Sequence, residues 1–142
     1  MQKEIDIFSP DCNTGMEIPL SESSVTAGFP SPAEHYFSLK LDLNKELIKN
    51  PASTFYARVK GVSMIDEGID DGDLLIVDRS VEPSEGKIAI CFVDGEFTVK
   101  RLGRDGRDWL LLPANPKYHP IRLTQEDELT IWGVVTYVIK AL

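Results

Sequence analysis

The chain has 142 residues, 42% of them hydrophobic, which is enough for one core of ordinary domain size. Its formal net charge of −8 opposes direct binding to nucleic acid, because phosphate contacts require a basic surface. No run of 18 apolar residues predicts a membrane helix, and the first residues lack a secretory apolar stretch. Two scattered cysteines, Cys12 and Cys91, form no metal-binding spacing with the two histidines. The expectation is a reduced, cytoplasmic protein with no cofactor, no metal and no membrane role.

Residues 1–34 are rich in Ser, Pro, Glu and Gly, with scattered apolar residues, and predict an extended N-terminal arm. Within it, SESSVTAGFPSP sets small residues beside Pro30 and Pro32, which disfavours helix and favours a strand able to lie in a groove. Residues 35–142 predict a β-rich domain. Asp42 is a candidate cap for one short helix, LNKELIKN, whose Leu43, Leu47 and Ile48 share a face and which stops before Pro51.

From Thr54 onward the pattern is β. In TFYARVK, Phe55, Ala57 and Val59 alternate to one side. LLIV at 74–77 and KIAICFV at 87–93 are continuous apolar runs, the mark of buried strands. Asp94-Gly95 is a hairpin signal that leads into EFTVKRL. DWLLL, PIRL and LTIWGVVTYVIK follow. Short, closely spaced strands predict a mostly β fold, a compact barrel or sandwich, rather than a parallel α/β fold.

The chemistry-bearing segment is GVSMIDEGIDDGDLLIVD, residues 61–78. Ser63 stands on a turn just after a strand, with Gly61 relaxing the backbone before it. Alone, such a serine is an ordinary turn residue. A hydroxyl becomes a nucleophile only beside a base. His35 and His119 read as loop histidines without a triad context. Lys100 lies in EFTVKRL, on the face of Thr98 and opposite Phe97 and Val99; alone, it reads as a solvated strand lysine. Asp66, Glu67, Asp70, Asp71 and Asp73 read as an acidic turn, since their spacing lacks a calcium-loop pattern. Trp109 and Trp132 read as core or interface anchors, and Cys91 as an inert core thiol.

GVSMIDEGIDDGDLLIVD together with DGEFTVKRL resembles the LexA/UmuD group of self-cleaving serine peptidases. The likeness to UmuD and its MucA-like relatives extends through AGFPSPAEHY, LDLNKELIKNPASTFYARVK and IWGVVTYVIKAL. The resemblance implies a β fold of the LexA C-terminal, peptidase type. It implies Ser63 as nucleophile, Lys100 as base, and Ala27-Gly28 as the bond cut. The backbone N–H groups of Ser63 and Val62 become the expected oxyanion donors. Only 27 residues precede that bond, too few for the helix-turn-helix of a LexA-like repressor, so the likeness points to the mutagenesis branch. Its implied partners are a second copy of the chain, a RecA filament on single-stranded DNA, and a UmuC-like Y-family polymerase subunit in error-prone translesion synthesis. The rivals are a trans-acting peptidase of signal-peptidase type and a non-catalytic β-barrel module that only holds a polymerase.

Lysine is a base only when uncharged. Its ordinary pKa is about 10.4, and each unit by which a dry site lowers it costs about 1.4 kcal/mol, so a shift of three units costs roughly 4 kcal/mol.

Overall fold

A computed structural model describes residues 5–12, 15–20, 39–62, 64–93, 95–117, 119–124 and 131–142. Its strands in chain order are β1 (Ile5–Phe8), β2 (Glu17–Leu20), β3 (Leu39–Asp42), β4 (Thr54–Val59), β5 (Leu74–Asp78), β6 (Ile88–Val93), β7 (Glu96–Asp105), β8 (Asp108–Leu112), β9 (Ile121–Leu123) and β10 (Ile131–Ile139). One short helix, α1, covers Leu43–Leu47. The fold is therefore mostly β, as expected from the spacing of the apolar runs.

Eight strands form one antiparallel sheet in the order β1-β4-β5-β10-β6-β7-β8-β9. β1 and β7 are not neighbours in that order. Residues of β1 and of the start of β7 nevertheless line a common groove, with Ile5 and Phe8 on one wall and Gly95 and Phe97 on the other. The sheet thus curls on itself, as twisted antiparallel sheets do. The segment read as an extended arm contributes two paired strands, β1 here and β2 in the second unit described below. The expected boundary between residues 34 and 35 lies outside the described residues.

Alternation along the strands sorts the core into two clusters. Ala57 and Val59 of β4, Leu75 and Val77 of β5, Ile90 of β6 and Val99 of β7 belong to the larger one. Ala89, Cys91, Leu102, Leu111 and Leu123 form the smaller one, so β6 feeds both. β5 lies between β4 and β10, and its Leu75, Ile76 and Val77 are all buried, as the unbroken apolar run predicts. Val93 pairs with Glu96, and Gly95 before Glu96 has the positive φ (82°) that a tight hairpin turn favours. Gly133 is needed for a different reason. A Cβ there would lie 2.7 Å from Val77 Cγ1, so only glycine lets β10 pass this close to β5.

Asp78 ends β5 as a hydrogen-bond hub. Its carboxylate accepts from the Ser53 hydroxyl (2.8 Å), the Asn50 side chain (2.9 Å), and the Ser80 backbone N–H (2.8 Å) and hydroxyl (2.7 Å). The segment before β4 and the end of β5 are joined there.

The described part of Asp11–Lys49 is a second compact unit. β2 pairs antiparallel with β3, and α1 follows β3 directly. Asp42 caps the helix as expected: its Oδ1 accepts from the N–H groups of Asn44 (3.0 Å) and Lys45 (3.4 Å), and also from Met16 (3.1 Å). The backbone bond from Met16, with those from Lys45 and Asn44, holds the Asp42 carboxyl below its ordinary range despite some desolvation. The helix is shorter than the sequence pattern, because Ile48 is already extended and Asn50 precedes Pro51.

Candidate active site

The segment between β4 and β5 is fastened at several points. Gly61 has φ 106°, and its N–H donates to Asp71 Oδ1 (2.9 Å). The Val62 carbonyl accepts from Asn115 Nδ2 (2.6 Å) and from the Ile65 N–H (3.3 Å). Met64 is 1% exposed and belongs to the larger core cluster. A 3-10 turn over Ile65–Glu67 follows, closed by Gly68 in the left-handed conformation. The Asp66 N–H donates to the Ala114 carbonyl (2.7 Å). Both neighbours of Ser63 are thereby fixed, one by its carbonyl and one by its side chain. Ser63, Ala27 and Gly28 themselves lie outside the described residues.

Lys100 stands in β7, directly opposite Ala89 of β6, and is 5% exposed. Opposed residues share a face, so its neighbours include Ala89 and, two positions on, Leu102, both from the smaller core cluster. Read alone, EFTVKRL predicts a solvated lysine; the structure buries it, on the face it shares with the smaller core cluster. Val99 faces the other cluster with Phe97 packed against it, as the alternation predicts.

Arg101, the next residue, reaches back to the serine segment. Its Nε donates to Glu67 Oε1 (2.7 Å), its Nη2 to Glu67 Oε2, and its Nη1 to the Gly86 carbonyl. The hydrogen bond from Arg101 holds the Glu67 carboxyl below the ordinary range, and the Arg101 guanidinium is correspondingly pushed up.

The acidic stretch read as a turn is engaged in structural bonds. Asp71 holds Gly61, and Asp73 accepts from the Asp70 N–H (2.8 Å). Lys140 donates to Asp70 (2.6 Å) and Asp73 (2.5 Å), and its ammonium is raised above the ordinary range, first by the bond to Asp70. Among the described residues no group of three or more His, Cys, Asp or Glu is arranged to hold a metal, and no helix is long and apolar enough to cross a membrane. Trp132 packs against Phe55 and Phe97, with Arg79 over its ring (4.6 Å), and Cys91 is fully buried.

Sequence reasoning did not single out Asn115 or the Glu67–Arg101 pair. Asn115 meets Val62 across 53 residues and Arg101 meets Glu67 across 34, separations that no local pattern encodes.

Residues 19–136 match the family described as Peptidase S24-like. The chain belongs to that family. It is 47% identical over 121 residues to Protein SamA of Salmonella typhimurium, covering 85% of this chain and 84% of that protein. Protein MucA of Escherichia coli is 40% identical over 136 residues, covering 94% of this chain and 92% of the other. A LexA repressor from Acidithiobacillus ferrooxidans is 42% identical over 119 residues, which span 82% of this chain but 58% of the repressor. The likeness to LexA and to UmuD/MucA-like proteins therefore holds over most of this S24-like chain. The aligned stretch covers nearly all of MucA and little more than half of the repressor.

Proposed function

We propose that this S24-like chain cuts itself between Ala27 and Gly28, using Ser63 as nucleophile and Lys100 as base. The observation that carries the reading is the burial of Lys100 in the middle of β7, since taking an amine out of water favours its uncharged form. Neutral Lys100 takes the Ser63 proton, and the serine oxygen attacks the Ala27 carbonyl. The backbone N–H groups of Ser63 and Val62 receive the developing oxyanion. Lys100, now charged, hands its proton to the leaving Gly28 amine, and water releases the acyl-enzyme. Gly28 lets the substrate backbone pass close to the serine.

The relatives support the biological setting. The alignment with MucA spans nearly its whole length, and the repressor matches only in part. In this reading the chain is a cytoplasmic homodimer. A RecA filament on single-stranded DNA favours the arm conformation that places the bond at Ser63, a shift of population rather than added chemistry. Removal of the arm then exposes surface for a UmuC-like Y-family polymerase in error-prone translesion synthesis after DNA damage.

Intact mass after incubation with RecA, a nucleotide and single-stranded DNA tests this directly. The native chain is expected to yield a fragment beginning at Gly28, and Lys100→Ala to stay whole. A native chain that stays whole both here and at high pH is a non-catalytic binding module instead.

A further inference from the structure

We propose that the Glu67–Arg101 ion pair is a positioning clamp that holds the Ser63 segment in register with the Lys100 strand. The inference rests on the serine–lysine reading above and names what keeps its two halves aligned.

The pair joins the two halves of the site at the positions where alignment matters. Glu67 ends the 3-10 turn that begins two residues after Ser63, and that turn is closed by backbone bonds from Glu67 to Met64 (3.0 Å) and from Gly68 to Ile65 (3.1 Å). Arg101 is the residue after Lys100 in a strand whose register with β6 is unbroken from Ile88 to Val93. The contact is bidentate, the geometry that fixes direction as well as distance. Arg101 is itself held from a third side by the Gly86 carbonyl. Gly86 in turn donates to the Leu102 carbonyl (2.8 Å), so this anchor is bound to β7. A displacement of β7 along its axis therefore carries Glu67 with it.

Successive strand residues point to opposite faces, so Arg101 leaves β7 on the side away from Lys100. It does not occupy the amine's surroundings, and the side chain is about one-third exposed while Lys100 is buried. Its role is geometric. An ion pair this exposed contributes little to global stability. Misplacing reacting groups by about 1 Å, in contrast, costs on the order of a hundredfold in rate. Glu67 stays ionised and Arg101 charged above neutral pH, so the clamp persists throughout the range in which the amine loses its proton.

The test is the first-order self-cleavage rate, per folded chain, followed from about pH 7 to 10. Native protein, Glu67→Gln, Arg101→Gln and the double variant are compared. Arg122→Gln, which breaks the ion pairs to Asp105 and Asp108 at the β7–β8 turn, is the control for loosening elsewhere. Each single variant is expected to lose about tenfold or more at every pH, with the shape of the profile unchanged. The double variant is expected to be no slower than the singles, since one linkage is removed either way. Native-like rates in the singles, a loss matched by Arg122→Gln, losses that multiply in the double, or a displaced pH profile with full maximal rate would each overturn the clamp. If Arg101→Gln does not fold, Arg101→Lys keeps the charge without the fork: a folded but slow protein supports the clamp, and native speed overturns it. Failure of the parent reading looks different, since then the native chain does not cut itself or Ser63→Ala cuts as fast.

Discussion

Ser63→Ala and Lys100→Met are each expected to slow self-cleavage by on the order of a thousandfold or more, while the protein stays folded. Residues that act as one catalytic unit fail together, so the double variant is expected to be scarcely slower than either single one. Methionine is the informative replacement for Lys100. It keeps the unbranched apolar stem among Ala89 and Leu102 but has no proton-accepting amine. Replacing a buried ion pair by apolar groups of similar volume is often neutral, whereas removing one partner alone destabilises, so the melting temperature is measured beside the rate. A variant with a native melting temperature and no cleavage separates loss of the base from loss of the fold. A variant that melts normally and still cuts at the native rate removes Lys100 from the mechanism.

The second large effect concerns stability. Asp78→Ala is expected to destabilise the protein by about 2–4 kcal/mol, read as a fall in the urea midpoint, because four hydrogen-bond donors lose one buried acceptor. The same hub predicts acid sensitivity. Burial alone pushes the Asp78 carboxyl upward. The bonds from Asn50, from the Ser80 side chain and backbone, and from Ser53 outweigh this and bring it down from 3.8 to about 2. A carboxyl depressed by folding contributes its full stability above its unfolded value and loses it as pH falls through the folded one. The loss therefore falls between about pH 4 and pH 2 and amounts to about 2 kcal/mol. Urea titrations across that range are expected to show a drop in the native chain that Asp78→Ala largely lacks. A parallel drop in both would assign the acid sensitivity to other carboxylates.

The fold was legible where the pattern is local. The alternation in TFYARVK, the unbroken run LLIV and the Asp94-Gly95 turn each announce an element from adjacent residues, and β4, β5 and the β6–β7 hairpin stand where they predict. Asp42 announces its helix in the same way. β1 was not legible. Ile5–Phe8 is four residues long and sits in a Ser- and Pro-rich context, and its partner lies far along the chain, with Ile5 opposite Val59. Strand pairing at that separation leaves no local trace. The helix end was missed for a related reason, since the apolar spacing continues to Ile48 while the approach to Pro51 has already turned the backbone.

The site divides similarly. Ser63 and Lys100 carry no decisive signal as single residues; the long shared motif singled them out, and the structure adds the burial of Lys100, which its strand alone did not predict. The supports around them, Asn115 at Val62 and Arg101 at Glu67, arise from contacts between remote segments. Their residue types are ordinary for a polar loop and a strand. Only the assembled sheet brings them to the serine segment.

The native rate of spontaneous self-cleavage as a function of pH probes the proton-accepting amine most directly. Below the amine's midpoint, each pH step raises the uncharged fraction about tenfold, so the rate is expected to climb steeply between about pH 7 and 10 with a product that starts at Gly28. A rate that stays level across that span would contradict an amine as the group that activates Ser63.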